Sequence, residues 1–123
     1  MNQDDRREYL IEELLKEEPQ YARMRIPENA GEQKRLLRSL MNIRPPRPIS
    51  DNVLEIQDEY LREEVAARGI TDSAALPVSA LDSRLVLWRG DITTLKVDAI
   101  VNAANSGMTG CYQPCHNCID NCI

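Results

Sequence analysis

No run of apolar residues in this 123-residue sequence approaches the roughly 20 that a membrane-spanning helix needs. The first twenty positions, Met1 to Gln20, are dense in Asp, Glu, Arg and Lys, so the apolar centre of a signal peptide is missing as well. Both absences point to a cytoplasmic protein without a membrane partner. A basic excess is also lacking: 15 Lys and Arg stand against 20 Asp and Glu, a net charge of −5, the wrong sign for holding a nucleic-acid backbone by bulk attraction. No nucleic-acid partner is expected. The length excludes a multidomain machine, and 42% hydrophobic residues suits one small globular core. Charge is scarce late in the chain, where only Asp82, Arg84, Arg89, Asp91, Lys96, Asp98 and Asp120 follow Leu81. Two parts of different character result, a helical segment over 1–80 and a second segment over 81–123.

What is present in the first part is helical periodicity. Leu10, Ile11, Leu14 and Leu15 recur at three and four residue spacings between Asp4 and Glu18, and Pro19 closes the run, which predicts an amphipathic helix. Leu36, Leu37, Leu40 and Met41 predict a second helix over about 32–42, ended by Pro45 and Pro46. Ser50 or Asp51 caps a third, about eighteen residues long, with Val53, Leu54, Tyr60, Leu61 and Val65 as its apolar face and Gly69 as its left-handed stop. Glu12, Glu13, Glu17 and Glu18 read as a solvated face, and the Arg44-Pro45-Pro46-Arg47-Pro48 strap as a stiff connector rather than a proline-rich ligand. Ile70 to Asp82, rich in small residues, reads as a linker.

Strand character follows. Leu85 to Trp88 is a short apolar run, and Val97 to Ala104 is apolar apart from Asp98 and Asn102, the pattern of a strand covered on both faces in an α/β protein. All four cysteines, Cys111, Cys115, Cys118 and Cys122, lie within the last thirteen positions together with the single histidine, His116. In a reducing compartment such clustering indicates a metal site or reactive thiols before disulfides. Spacing alone allows two ligand sets. Cys115, Cys118 and Cys122 share one face of a helix beginning near Pro114, whereas Cys111, His116 and Cys118 require a loop or a distorted first turn.

The segments Arg89-Gly90-Asp91-Ile92-Thr93 and Val97-Asp98-Ala99-Ile100-Val101-Asn102-Ala103-Ala104-Asn105 resemble the opening of a macrodomain. The segment from Gly110 to Asn121 is similar to the zinc-dependent, MacroD-type bacterial branch of that family, and the helical first part is similar to the extension those proteins carry. The resemblance implies a three-layer α/β fold, here truncated after its first two strands and preceded by the helical extension. It further implies a hydrolase of glycosidase type that removes ADP-ribose from ADP-ribosylated protein substrates, a lipoyl carrier of the glycine-cleavage H kind among them. In the family the two strands seen here are not neighbours, so the 123-residue chain alone is expected to leave unpaired strand edges and to lack hydrolase activity.

Residue roles follow on the same ground. Asp91 would accept from the adenine amine and Ile92 would offer a backbone donor to the base, although an Asp after Gly is commonly a turn or helix cap. Asn105, at the end of the second strand, would bind the ribose hydroxyls and take part in catalysis, although Asn102 and Asn105 also suit ordinary turns. Gly107 and Gly110 bracket a loop able to bring backbone close to sugar or phosphate. The zinc-dependent branch uses the CxxxxHxC set, which makes Cys111, His116 and Cys118 the ligands of one zinc ion and leaves Cys115 and Cys122 as small core residues. Asp120 matches the acidic position that orients or deprotonates the attacking water. Two rivals stand beside this reading: a module that binds ADP-ribose without cleaving it, which needs no open zinc position, and a small zinc or thiol interaction module without nucleotide affinity.

Overall fold

The computed structural model describes all residues from Met1 to Ile123. It contains helices α1 (Gln3–Lys16), α2 (Ala30–Ile43) and α3 (Asp51–Arg68), two-residue strands β1 (Thr71–Asp72) and β2 (Leu95–Lys96), and a final short helix α4 (Ile119–Cys122). The architecture is thus mixed helical with a small parallel sheet. The chain divides into two compact units, one of Met1–Leu61 with Asn102–Ile123 and one of Arg62–Val101. No helix is long and apolar enough to cross a membrane.

In the first unit the caps set where the helices begin. The Asn2 side chain accepts from the Asp5 amide at 2.9 Å while the Asp5 carboxylate accepts from the Asn2 amide at 3.0 Å, a reciprocal box that starts α1 at Gln3. Asn29 Oδ1 accepts from the amides of Gly31 and Glu32, starting α2 two residues before the predicted boundary. Helix α2 ends at Ile43, because Arg44 precedes a proline and adopts an extended conformation. Leu10, Ile11, Leu14 and Leu15 pack with Leu37 and Leu40 of α2 and with Val53 and Tyr60 of α3 to form the core. Leu54 and Leu61 remain more than a third exposed, so the buried stripe of α3 is narrower than its apolar residues suggest.

Polar pairs lock this unit. Arg7 is buried and donates Nε to Gln33 Oε1 at 2.8 Å, with Asp4 neutralising its far nitrogen. Glu17 and Glu18 are not simply a solvated face: Arg44 grips Glu17 through two nitrogens at 2.7 and 2.9 Å, and Arg47 reaches Glu18. The proline strap between α2 and α3 is thereby pinned at both of its arginines.

In the second unit β1 pairs with β2 in parallel register, Thr71 beside Leu95 and Asp72 beside Lys96, and Val78 bridges Val86 in the antiparallel sense. The expected strands over Leu85–Trp88 and Val97–Ala104 do not form. A strand exists only where a neighbour accepts its backbone hydrogen bonds. Leu87 is 94% exposed and Val101 85%, the signature of apolar runs with no sheet alongside them. The pairing that does occur uses Thr71 and Asp72, inside the segment expected to be a plain linker.

Candidate metal and ligand site

Residues 105–118 contain no helix or strand, so side chains and turns must satisfy the backbone there. Asn105 starts the work. Its Oδ1 accepts from the amides of Gly107 at 2.9 Å and Met108 at 3.2 Å, and its Nδ2 donates to the Gly110 carbonyl at 2.8 Å. One N–H of the amide remains beyond these bonds. Gly110 has φ +92, a left-handed conformation that suits glycine. Met108, Tyr112 and Cys115 also have positive φ, at 54, 57 and 55°. Each costs on the order of 1 kcal/mol or more outside glycine, and such strain gathers at functional sites.

The turn at Pro114-Cys115 brings His116 back toward Cys111. Cys111 Sγ lies 3.3 Å from His116 Nδ1. Cys118 stands extended immediately before α4, and the ligand atoms of Cys111, His116 and Cys118 all lie within 4.8 Å of one another. Zinc–sulfur and zinc–nitrogen bonds of about 2.3 and 2.0 Å in tetrahedral geometry place donor atoms about 3.5–3.8 Å apart. The trio therefore fits a zinc ion with small side-chain adjustments. Its chemistry fits too, since two thiolates and an imidazole leave a fourth coordination position open.

The electrostatics favour a thiolate at Cys111. The backbone N–H of Gln113 stabilises the ionised form most, with His116, Asn121 and Cys118 adding to it, and together they bring the thiol from an ordinary 9.0 to about 7. Asn121 is the residue the sequence reading missed. Its Nδ2 donates to Cys111 Sγ at 3.0 Å and to the His116 carbonyl at 3.2 Å, while its Oδ1 accepts from the Cys111 amide at 3.1 Å. One side chain thus holds two members of the trio.

The helix-face set of Cys115, Cys118 and Cys122 is not formed, because the turn at Cys115 breaks any helix starting at Pro114 and α4 begins only at Ile119. Cys115 and Cys122 are exposed rather than core residues. Cys115 Sγ lies 2.9 Å from Ser39 Oγ, and Cys122 Sγ accepts from Arg38 Nη2 at 3.2 Å.

Asp120 sits in the first turn of α4, in the same compact unit as the trio. Its Oδ1 accepts from Asn102 Nδ2 at 3.0 Å, and its Oδ2 is buried without a hydrogen-bond partner. Asp91 and Ile92 belong to the other unit. There Asp91 caps the short turn Ile92–Thr94, with Oδ1 accepting from the Thr93 hydroxyl at 2.7 Å and the Thr93 amide at 3.0 Å, and Oδ2 accepting from Arg68 at 3.2 Å. The Thr93 hydroxyl, then its amide, then Arg68 hold the Asp91 carboxyl below the usual carboxylate range.

No protein-family model matches the chain. It is similar to curated proteins. It is 61% identical over its whole length to a protein named protein-ADP-ribose hydrolase from Treponema medium, of which it spans 48%. It is 42% identical over 96% of its length to a protein of the same name from Staphylococcus aureus strain MRSA252, of which it spans 44%. A protein named probable bifunctional ADP-ribose hydrolase/ADP-ribosyltransferase from Fusarium oxysporum f. sp. cubense is 43% identical over 72% of the chain, which covers 16% of that protein. The chain thus spans about half the length or less of the curated relatives it matches.

Proposed function

We propose that this chain is the first part of a zinc-dependent macrodomain hydrolase that removes ADP-ribose from mono-ADP-ribosylated protein side chains, with residues 1–80 as its helical extension and 81–123 as the opening of the macrodomain. The names of the relatives support the reaction class. The observation that carries the metal dependence is the convergence of Cys111, His116 and Cys118 within 4.8 Å, with a fourth position open. A module that only read ADP-ribose would have no use for that position.

Cys111, His116 and Cys118 would hold the ion, which when bound supplies Lewis acidity toward a water or a sugar hydroxyl. The remaining roles fall to the chain. Hydrolysis adds water across the bond between ribose C1 and the modified side-chain atom; the water oxygen bonds to C1, and the side-chain atom leaves with the bonding pair and takes a proton. Asp120 is assigned to orient that water and accept its proton, with Asn102 fixing one of its carboxylate oxygens. Asn105 shapes the sugar-binding loop and has one N–H left for a ribose hydroxyl. Asp91 and the Ile92 backbone are assigned to the adenine, and a lipoyl-bearing carrier is the substrate class that the resemblance favours.

The test is release of ADP-ribose from a modified carrier by the full-length protein, with and without chelation of zinc. Chelation and Asp120→Ala should each lower turnover about 100-fold or more, the latter on the scale of a lost general base. Turnover that survives both changes would overturn the assignment.

A further inference from the structure

Helix α2 faces the cysteine loop with a stripe of four polar residues. Arg35, Arg38, Ser39 and Asn42 recur at helical spacing, and each meets that loop or the helix after it. The Arg35 carbonyl lies 3.5 Å from Cys115 Sγ, Ser39 Oγ lies 2.9 Å from the same sulfur, and Arg38 donates to Cys122 Sγ at 3.2 Å. These three touch the cysteines outside the metal-binding trio. Asn42 differs in what it reaches. Its Nδ2 donates to the Gln113 carbonyl at 3.2 Å and, at the outer limit of a hydrogen bond, to the His116 carbonyl at 3.5 Å.

Those two carbonyls bound the turn that delivers His116. The His116 amide closes it by donating to the Gln113 carbonyl at 3.2 Å, with Cys115 left-handed between them. A turn that stores backbone strain persists only where its surroundings over-determine it. Asn42 ties both of its ends to α2, a fourteen-residue helix anchored in the core by Leu37 and Leu40. The residue is itself buried, at 8% exposure, so an amide there is held in place by packing as well as by its bonds. From the other side Asn121 donates to the His116 carbonyl. The histidine backbone is thus gripped between two amides, one from α2 and one from α4.

We propose that Asn42 is a positioning residue for the metal site, fixing the Gln113–His116 turn so that the His116 ring meets Cys111 and Cys118. The proposal rests on the metal reading of that trio. It gives the helical first part of the chain a role in ligand geometry, since groups that orient metal ligands typically govern 10–100-fold of metal affinity.

The test uses the whole 123-residue chain and two isosteric replacements, Asn42→Leu and Asn42→Asp. Zinc affinity is measured by competition with a chelating dye, the donor geometry by the thiolate-to-metal and d–d absorption bands of the Co²⁺ form, and helix content by circular dichroism. Each variant should bind zinc about 10-fold or more weakly and show altered Co²⁺ d–d bands while retaining its helices. Ser39→Ala, which loses a bond to the Cys115 sulfur and none to either carbonyl of the turn, should match the parent chain in both metal readouts. If the leucine variant loses its helices, the aspartate variant decides, because its side chain keeps the shape of asparagine while setting a carboxylate oxygen, an acceptor, against the two carbonyls in place of the donor. Parent-like affinity and spectra in both variants would overturn the proposal, as would an affinity loss that merely follows loss of helix. Failure of the parent chain to bind zinc at all would instead defeat the metal reading, and this inference would fall with it.

Discussion

At pH 7 the Cys111 thiol, brought to about 7 by its donors, should be about half ionised. A thiol left at 9.0 would be about 1% ionised at that pH, so the site raises the thiolate population about 50-fold. Reactivity rises less, because nucleophilicity falls with basicity; with a Brønsted slope of about 0.4–0.5 over two pH units, the net gain is about 5–8-fold. The sign of the pH effect follows from the depressed value. The folded chain favours the thiolate, and this preference is complete above the range of an ordinary thiol and is lost as pH falls through about 7. Iodoacetamide labelling of the metal-free chain measures it directly. Chymotryptic cleavage after Tyr112 separates Cys111 from the other three cysteines, so its labelling rate can be followed by mass spectrometry from pH 5 to 10. The midpoint should lie near 7. In Asn121→Ala it should rise without reaching 9, because the Gln113 amide, the largest contributor, remains. Added Zn²⁺ should suppress the labelling. A midpoint near 9 in the unaltered chain would refute the electrostatic account of this loop.

Two further outcomes test the core and the second unit. Ile11→Ala, at a fully buried position of the core, should cost about 2–5 kcal/mol in a denaturant titration, whereas Leu54→Ala, at 41% exposure, should cost far less; equal costs would show that the core is wrongly placed. Asp91→Ala removes the cap on Thr93 and should lower stability by about 1 kcal/mol; if Asp91 also serves the adenine, ADP-ribose binding to the full-length protein should weaken by about 1.5–3 kcal/mol, and unchanged affinity in calorimetric titration would leave it a cap alone.

Helices were legible in this sequence and strands were not, for a physical reason. The period of Leu10, Ile11, Leu14 and Leu15 is a local property, and the hydrogen bonds of α1 close within the segment that carries it. Only the ends moved, because Asn2 and Asn29 cap one residue or more before the apolar pattern begins. Leu85–Trp88 and Val97–Ala104 have strand composition, yet strand formation depends on a partner that composition does not specify. The buried Arg7 escaped notice for a similar reason, since only the fold places Gln33 and Asp4 around it.

The site shows a finer division. Spacing admitted two ligand sets, and a resemblance chose between them; what separates them physically is the left-handed turn at Cys115, a non-glycine conformation that no local pattern announces. The amides around the loop had a clearer signal. A segment from 105 to 118 with no helix or strand still carries a donor and an acceptor on nearly every residue, and these must be paired by something. The short, neutral amide of asparagine donates to a carbonyl and accepts from an N–H through two different atoms, so one side chain can serve both. Asn42, Asn105 and Asn121 each spend their amides on this region: on the carbonyls of the His116 turn, on the loop before Cys111, and on Cys111 with His116. Asking which side chains satisfy the backbone of an irregular loop therefore leads to the groups that aim its ligands. Counting the cysteines and histidine leads only to the ligands themselves.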